Sequence, residues 1–304
     1  MREIELLLCQ ILNCNRADLY LGSHRLSQLD PEKIVLLQNA IKRRINGEPL
    51  QYILGSQEFM GLEFKVSPGV FIPRPETEIL VEKAIDLLSN QKPVLRLNSG
   101  LALSPSTRFA RSGRIPSLSR ESKAEVPVTR NQKILDIGTG SGCIAVSLAK
   151  LLSNVEITAI DISSEALEIA IENATFNDVD NKIRFVQSDL FTNAALCNTK
   201  YNMIISNPPY IPTNDIDKLA KEISFEPRIA LDAGTDGLKF YRKIILKAAV
   251  YLKDDGFLLM EMGFNQAEQI KDIVKTNQRF EIVETVLDYS GIERVIILRK
   301  KIHV

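Results

Sequence analysis

Apolar residues recur with helical spacing through the first part of the chain. Ile4, Leu7, Leu8, Ile11 and Leu12 form one such stripe. Ile34, Leu37, Ile41 and Ile45 form a second, opened by Asp30-Pro31-Glu32 and followed by Gly47. An acid and a proline suit a helix start, and a glycine suits its carboxyl cap. The period then shortens: Phe59 to Val66 alternates around Gly61, as a small hairpin would. Pro75, with Glu76 and Glu78 beside it, begins another helix that runs to about Leu88. From residue 133 onward, short apolar runs alternate with helical stretches. Strands are predicted at 133–137, 156–161, 183–187, 201–206, 256–261, 280–288 and 293–299. Helices separate the first five, one of them covering Gly237–Leu252. That alternation predicts a parallel α/β sheet whose last two strands pair as an antiparallel edge.

Residues 91–132 have no apolar period. Ser, Pro, Arg and Gly dominate, with eight basic and two acidic side chains. A disordered insert is predicted; without interleaved aromatics, a solvated linker is favoured over an RNA-binding patch. The chain thus divides into an amino-terminal helical domain with a hairpin linker (1–90), the insert (91–132) and an α/β domain (133–304).

Length and charge narrow the field. At 304 residues there is room for about two domains. A formal net charge of zero provides no global attraction to nucleic acid. Cys9, Cys14, Cys143 and Cys197 form no C-x-x-C pair and have no metal spacing, so they read as reduced thiols of a cytoplasmic protein, and no metal is expected. His24 and His303 are far apart and receive no role. The first nine residues, with two glutamates, do not resemble a secretory leader, and no apolar run reaches the ~18 residues of a membrane span.

Two segments carry candidate chemistry. The predicted strand from Lys133 to Ile137 enters a turn, Gly138-Thr139-Gly140-Ser141-Gly142, and a helix follows. Glycines allow a ligand close to the backbone, and the helix start offers free N–H groups. Asp161 ends the next strand, about 20 residues on, where an acid can accept both hydroxyls of a ribose. The spacing Gly-x-Gly-x-Gly fits the dinucleotide fingerprint poorly. Asp136 adds an acid beside the loop, which suits a cationic ligand such as S-adenosylmethionine better than a pyrophosphate.

The second segment is Asn207-Pro208-Pro209-Tyr210, after the buried-strand run Met203 to Ser206. Prolines stiffen the backbone, and their carbonyls are free of helix and sheet bonds. Asn207 adds a side-chain acceptor and Tyr210 a flat face. Two acceptors and a ring suit a planar –NH2 group.

These pieces together resemble the HemK/PrmC family of peptide-chain-release-factor N5-glutamine methyltransferases. The resemblance rests on Phe71 to Glu78 (FIPRPETE), Asp136 to Gly142 (DIGTGSG), Asp161, Ser188-Asp189-Leu190, Asn207 to Tyr210 (NPPY) and Glu226-Pro227. It continues through Gly237-Leu238, Glu261 with Gly263, and Asp288-x-x-Gly291-x-x-Arg294, and lapses over the insert. It implies a class I S-adenosylmethionine-dependent methyltransferase, Rossmann-like, with a mixed seven-stranded sheet. It further implies that Gly138, Thr139, Gly140, Ser141, Gly142, Asp161, Leu190 and Asn207 hold the cofactor. Asn207, Pro208, Pro209 and Tyr210 would bind the substrate, with Asn207, Pro208 and Tyr210 in the catalytic role. The implied partner is a class-1 release factor, methylated on the glutamine of its Gly-Gly-Gln tripeptide. Adenine-N6 methylation of nucleic acid uses similar acceptor logic and stays open, as does a non-enzymatic cofactor-binding module.

Overall fold

The structure, a computed structural model, describes residues 3–21, 30–89, 125–126, 128 and 131–302. Nearly all of the predicted insert lies outside the described residues. The chain forms two compact units, the described part of the first ending at Gly55 and the second beginning at Ser56.

The first unit contains helices α1 (Glu3–Leu12), α2 (Arg16–Tyr20), α3 (Pro31–Ile45) and α4 (Leu50–Leu54). Asp30 caps α3 by accepting the Glu32 N–H at 3.0 Å, and Pro31 occupies the first turn. Lys42, Arg43 and Arg44 sit in its last turn, where cations complement the helix dipole. Gly47, at φ +91°, closes the end by donating to the Arg44 carbonyl at 2.9 Å. Arg44 then joins α3 to α1 through Glu3.

The second unit starts with the antiparallel pair β1 (Ser56–Phe59) and β2 (Leu62–Lys65). Met60 and Gly61 both have positive φ, the tight-turn geometry matched to strand twist. The sequence pattern grouped this hairpin with the preceding helices; its contacts lie with the sheet. The buried Asn173 amide accepts the Lys65 N–H at 2.7 Å and donates to the Lys65 carbonyl at 3.0 Å. Asn177 donates to the Glu63 carbonyl at 3.1 Å. Two side-chain amides thereby extend the hairpin's backbone bonding onto a helix of the sheet unit.

The remaining elements are α5 (Pro75–Ser89), β3 (Gln132–Ile137), α6 (Cys143–Leu151), β4 (Val155–Asp161), α7 (Ser164–Phe176), β5 (Ile183–Gln187), β6 (Tyr201–Ser206), α8 (Lys239–Tyr251), β7 (Leu252–Glu261), α9 (Ala267–Asn277), β8 (Phe280–Leu287) and β9 (Glu293–Lys300). The strands form one mixed seven-stranded sheet in the order β5-β4-β3-β6-β7-β9-β8. The first five run parallel, and β9 pairs antiparallel with both β7 and β8. The last strand is therefore interior and β8 is the edge. Burial matches this order: Val295 to Leu298 are all buried, whereas β8 has exposed positions. Helix α8 begins at Lys239, because Gly237 at φ +74° lies outside the helical region.

Alternate strand residues face two cores. Ile134, Leu259 and Ile297 pack with α5, α6 and α7, while Leu135, Leu258 and Ile296 pack with α8 and α9. The sheet is thus covered on both faces, and ligand access is left to the carboxyl ends of its strands. Among the described residues, no helix is long and apolar enough to cross a membrane.

Candidate active site

At those carboxyl ends lies a cavity of about 280 Å³. Its wall includes Gly138, Thr139, Gly140, Ser141, Asp161, Leu190, Asn207, Pro208, Pro209 and Tyr210, so tertiary structure assembles residues from four separate loops.

The glycine turn leaves β3 with Gly138 and Thr139 both donating to the Ile160 carbonyl, at 2.8 and 2.9 Å. A Cβ added at Gly138 or Gly140 would meet nothing within 4 Å, so the backbone there borders open space. Gly140 needs its φ of +54° to direct its N–H onto Asp161 Oδ2 at 2.9 Å. Gly142 has a different job. A Cβ there would come within 3.1 Å of Ala170 Cβ and 3.2 Å of Ala170 Cα, so its bareness serves the packing of α6 on α7. It does not line the cavity.

Asp136 lies deeper still. It is fully buried, does not line the cavity, and accepts the Thr139 hydroxyl at 2.6 Å. Its carboxyl braces the loop from beneath and makes no wall for a cation. Burial pushes it up to about 7; the Thr139 bond opposes that shift and nearby Asp161 adds to it. Burial likewise pushes the Cys143 thiol up to about 12, so it is a packed side chain rather than a nucleophile.

Asp161 ends β4 with one backbone donor on each oxygen, Gly140 on Oδ2 and Ser163 on Oδ1 at 3.0 Å. A carboxylate has about four lone-pair sites, so both oxygens can still accept from a ligand. Burial raises its pKa, offset by the Ser163, Gly140 and Ile162 N–H groups. Leu190 lines the cavity with φ of +52°, a region that branched side chains rarely adopt. The Ser188 hydroxyl holds this turn, donating to the Leu190 carbonyl at 2.8 Å and accepting the Asn193 N–H at 3.2 Å.

The four-residue turn after β6 forms the opposite wall. Among the described residues, the Pro208 and Pro209 carbonyls accept no protein hydrogen bond. Tyr210 is held by Gln266, whose Nε2 donates to the Tyr210 carbonyl at 2.9 Å and whose Oε1 accepts the Gly263 N–H at 3.1 Å. A Cβ at Gly263 would come within 2.6 Å of Gln266 Oε1 and 2.9 Å of Tyr210 Cδ2. Burial, with Glu261 nearby, pushes the Tyr210 phenol up to about 12, so it stays protonated. The Asn207 Nδ2 donates to the Thr77 hydroxyl at 3.1 Å.

Phe71, Pro73 and Thr77 complete the wall from the segment before and within α5. Arg74 pins that segment: its guanidinium bonds the buried Glu226 and lies 4.9 Å from the centre of the Phe71 ring. Glu226 also accepts the Ile72 N–H at 3.2 Å. Burial raises the Glu226 pKa, and the Arg74 charge pulls it down. Arg294 bonds Asp288 and the Met262 carbonyl, tying the β8–β9 turn to the end of β7. Sequence reasoning assigned no role to Thr77, Glu261 or Gln266. The first two belong to recognised motifs; nothing in the sequence pointed to Gln266, which acts only through folded neighbours.

Comparison with known proteins agrees with this arrangement. The Methyltransferase small domain family matches residues 122–292, and the PrmC N-terminal domain family matches residues 1–55. The chain is 38% identical over 304 residues to a release factor glutamine methyltransferase of Fusobacterium nucleatum, covering 99% of this chain and 73% of that one. It is 36% identical over 301 residues to a release factor glutamine methyltransferase of Thermodesulfovibrio yellowstonii, covering 99% and 92%. Among solved structures, the hMettl16 catalytic domain in complex with the MAT2A 3'UTR hairpin 1 shares the fold, with a TM-score of 0.54 at 14% identity over 90% of this chain and 81% of that one. Identity sustained along nearly the whole chain, together with both domain matches and a cavity that unites the glycine loop with the NPPY turn, places the protein in the release factor glutamine methyltransferase family, the HemK/PrmC family of class I methyltransferases.

Proposed function

We propose that this chain transfers a methyl group from S-adenosylmethionine to the side-chain amide nitrogen of the glutamine in the Gly-Gly-Gln tripeptide of class-1 release factors. The observation that carries this reading is the single cavity shared by the glycine loop, Asp161 and the NPPY turn. Its residues fit the cofactor. Open backbone at Gly138 and Gly140, a carboxylate with free lone pairs at Asp161, and the apolar Leu190 suit an amino acid, a ribose and an adenine in turn. When bound there, S-adenosylmethionine supplies an electrophilic methyl group on a sulfonium.

The chain's own residues do the rest. An amide nitrogen is a weak nucleophile because its lone pair is delocalised into the carbonyl. Asn207 Oδ1 and the Pro208 carbonyl accept the two amide hydrogens and aim the nitrogen, while Tyr210 holds the plane of the group. Such positioning can supply up to ~7–11 kcal/mol in the best cases. The same acceptors stabilise positive charge that develops on nitrogen. The proton leaves after transfer, so no strong base is needed.

Asp161→Ala is expected to weaken S-adenosylhomocysteine binding by roughly 1–3 kcal/mol, because two hydroxyl acceptors are lost. Calorimetry checks this; unchanged affinity, or preferential binding of NAD by the wild type, would remove the cofactor assignment.

A protein substrate is favoured over a nucleic acid. The net charge is zero, and residues 1–90 carry ten basic and twelve acidic side chains, which gives little of the phosphate attraction that dominates nucleic-acid affinity. We assign the helical unit ending at Gly55 to docking of the release factor, and place the reaction in the cytoplasm. With labelled cofactor, a release factor should accept label on its tripeptide glutamine. The glutamine-to-alanine factor and duplex DNA should accept none above background. Label recovered as N6-methyladenine, with none on the release factor, would transfer the assignment to adenine methylation.

A further inference from the structure

A carboxamide presents an acceptor on one side and a donor on the other. Which of the two Asn207 turns toward the substrate decides whether it can receive an –NH2 group. Two hydrogen bonds settle this. Thr77 Oγ1 donates to Glu261 Oε2 at 2.7 Å. The same Thr77 oxygen accepts from Asn207 Nδ2 at 3.1 Å. A threonine hydroxyl has one hydrogen. With that hydrogen committed to Glu261, Thr77 can only accept from Asn207.

We propose that Thr77 and Glu261 are positioning residues that order this chain of hydrogen bonds, fixing the Asn207 carboxamide with its nitrogen toward Thr77 and its oxygen free for the substrate –NH2. The proposal rests on the reading of Asn207 as the substrate's acceptor. Without the ordered chain, the Thr77 hydroxyl can turn and donate to Asn207 Oδ1. The flipped amide then offers –NH2 to –NH2, and the substrate bond is lost.

The surroundings suit this role. Glu261 is 1% exposed and ends β7, while Thr77 is 2% exposed in the first turn of α5, so neither is a surface group free to reorient. The Glu261 backbone is held as well, its carbonyl accepting the Tyr241 hydroxyl at 2.9 Å. Burial pushes the Glu261 carboxyl up to about 7, with Thr77, Arg294 and Asn207 pulling it down and Glu76 pushing it up. The other titratable groups facing it are Tyr210, Tyr241 and Cys143. Arg294 is itself bonded to Asp288. An ionised Glu261 can only accept, which enforces the order. A protonated Glu261 gains a hydrogen and permits the reverse order. Turnover should therefore rise with pH through about 7.

The test uses the full chain and a class-1 release factor as methyl acceptor. Thr77→Val keeps the shape and removes both bonds. It is expected to lower the single-turnover rate about ten- to hundredfold, with S-adenosylhomocysteine affinity unchanged. Thr77→Ser should restore most of the rate. Because Thr77 acts through Asn207, adding Thr77→Val to Asn207→Ala should cost nothing further. Glu261→Gln, neutral at every pH, should lose the rise near neutrality. A folded Thr77→Val enzyme as fast as wild type, additive losses in the double variant, or a neutral-pH rise retained in Glu261→Gln would each overturn the proposal.

A second readout does not depend on activity. In nuclear magnetic resonance of protein with isotope-labelled asparagine, one Asn207 side-chain amide hydrogen should exchange slowly in the wild type and rapidly in Thr77→Val. Equal exchange in the two would overturn the relay even if release factor is methylated. Protected exchange in a wild type that does not methylate release factor would leave the relay standing and defeat the substrate reading.

Discussion

Asn207→Ala is expected to lower the single-turnover rate of methyl transfer by about 10²–10³-fold while barely changing cofactor affinity. The side chain contributes one acceptor aimed at the reacting group, and its loss leaves a substrate N–H unpaired in a cavity walled by Pro208, Pro209 and Tyr210. Asn207→Asp should keep more activity than Asn207→Ala. Burial, and the Glu261 carboxyl once that group ionises, disfavour a charge on the new acid, so its O–H can replace the bond to Thr77 while its carbonyl still accepts. That advantage should shrink as pH rises and the new acid ionises. Rapid-quench measurement of one turnover across pH compares the three proteins. Asn207→Ala outpacing Asn207→Asp at every pH would refute an acceptor role.

Conformational stability is expected to fall as pH rises from about 5 to about 8. The sign follows from two buried carboxyls. Asp136 moves from an ordinary value of 3.8 to about 7 in the folded state. Glu261 moves from 4.5 to about 7. Each holds its proton more tightly when folded than when unfolded. Its stabilising contribution is fully present below the unfolded value and is lost as pH rises through the folded one. For Asp136 alone the full change between the two values is on the order of 4 kcal/mol, taking 1.36 kcal/mol per pKa unit, and the part that falls above pH 5 is on the order of 3 kcal/mol. Asp161 and Glu226, also raised, add in the same direction. Carboxyls pulled down by partners, such as Asp232 and Glu48, act in the opposite sense but only below about pH 5, outside this window. Asp136→Asn retains an acceptor for the Thr139 hydroxyl and cannot ionise, so its profile should be flatter than that of the wild type. Denaturant midpoints measured across this range give the comparison. Parallel curves for the two proteins would show that Asp136 does not titrate differently on folding.

The proposed relay joins residues from distant parts of the chain. Thr77 and Asn207 are 130 positions apart and meet at 3.1 Å, and Thr77 reaches Glu261 across 184 positions. The sheet makes this possible. Strands β6 and β7 are parallel neighbours, so their carboxyl ends deliver Asn207 and Glu261 to the same edge, and α5 packs close enough to place its first turn between them.

The sequence by itself was enough for the elements and the chemistry that local rules govern. The apolar run Met203-Ile204-Ile205 marked the strand at 201–206, because a strand covered on both faces buries both of its alternating sets of side chains. Asp30-Pro31 and Gly47 marked the ends of α3, because caps act within a single turn. The glycine loop, Asp161 and the NPPY turn were legible because their spacing relates residue types to ligand groups directly. Tertiary structure alone decided the rest. Asp136 and Gly142 belong to the same motif as Gly140, yet one faces the core and the other packs on Ala170, which spacing cannot distinguish. The placement of β9 inside the sheet depended on which strand's second face found a cover. Gln266 gained its role from three loops that meet only after folding. The orientation of the Asn207 amide was set by a hydroxyl and a carboxylate far along the chain, because a hydrogen bond depends on distance in space and is blind to distance in sequence.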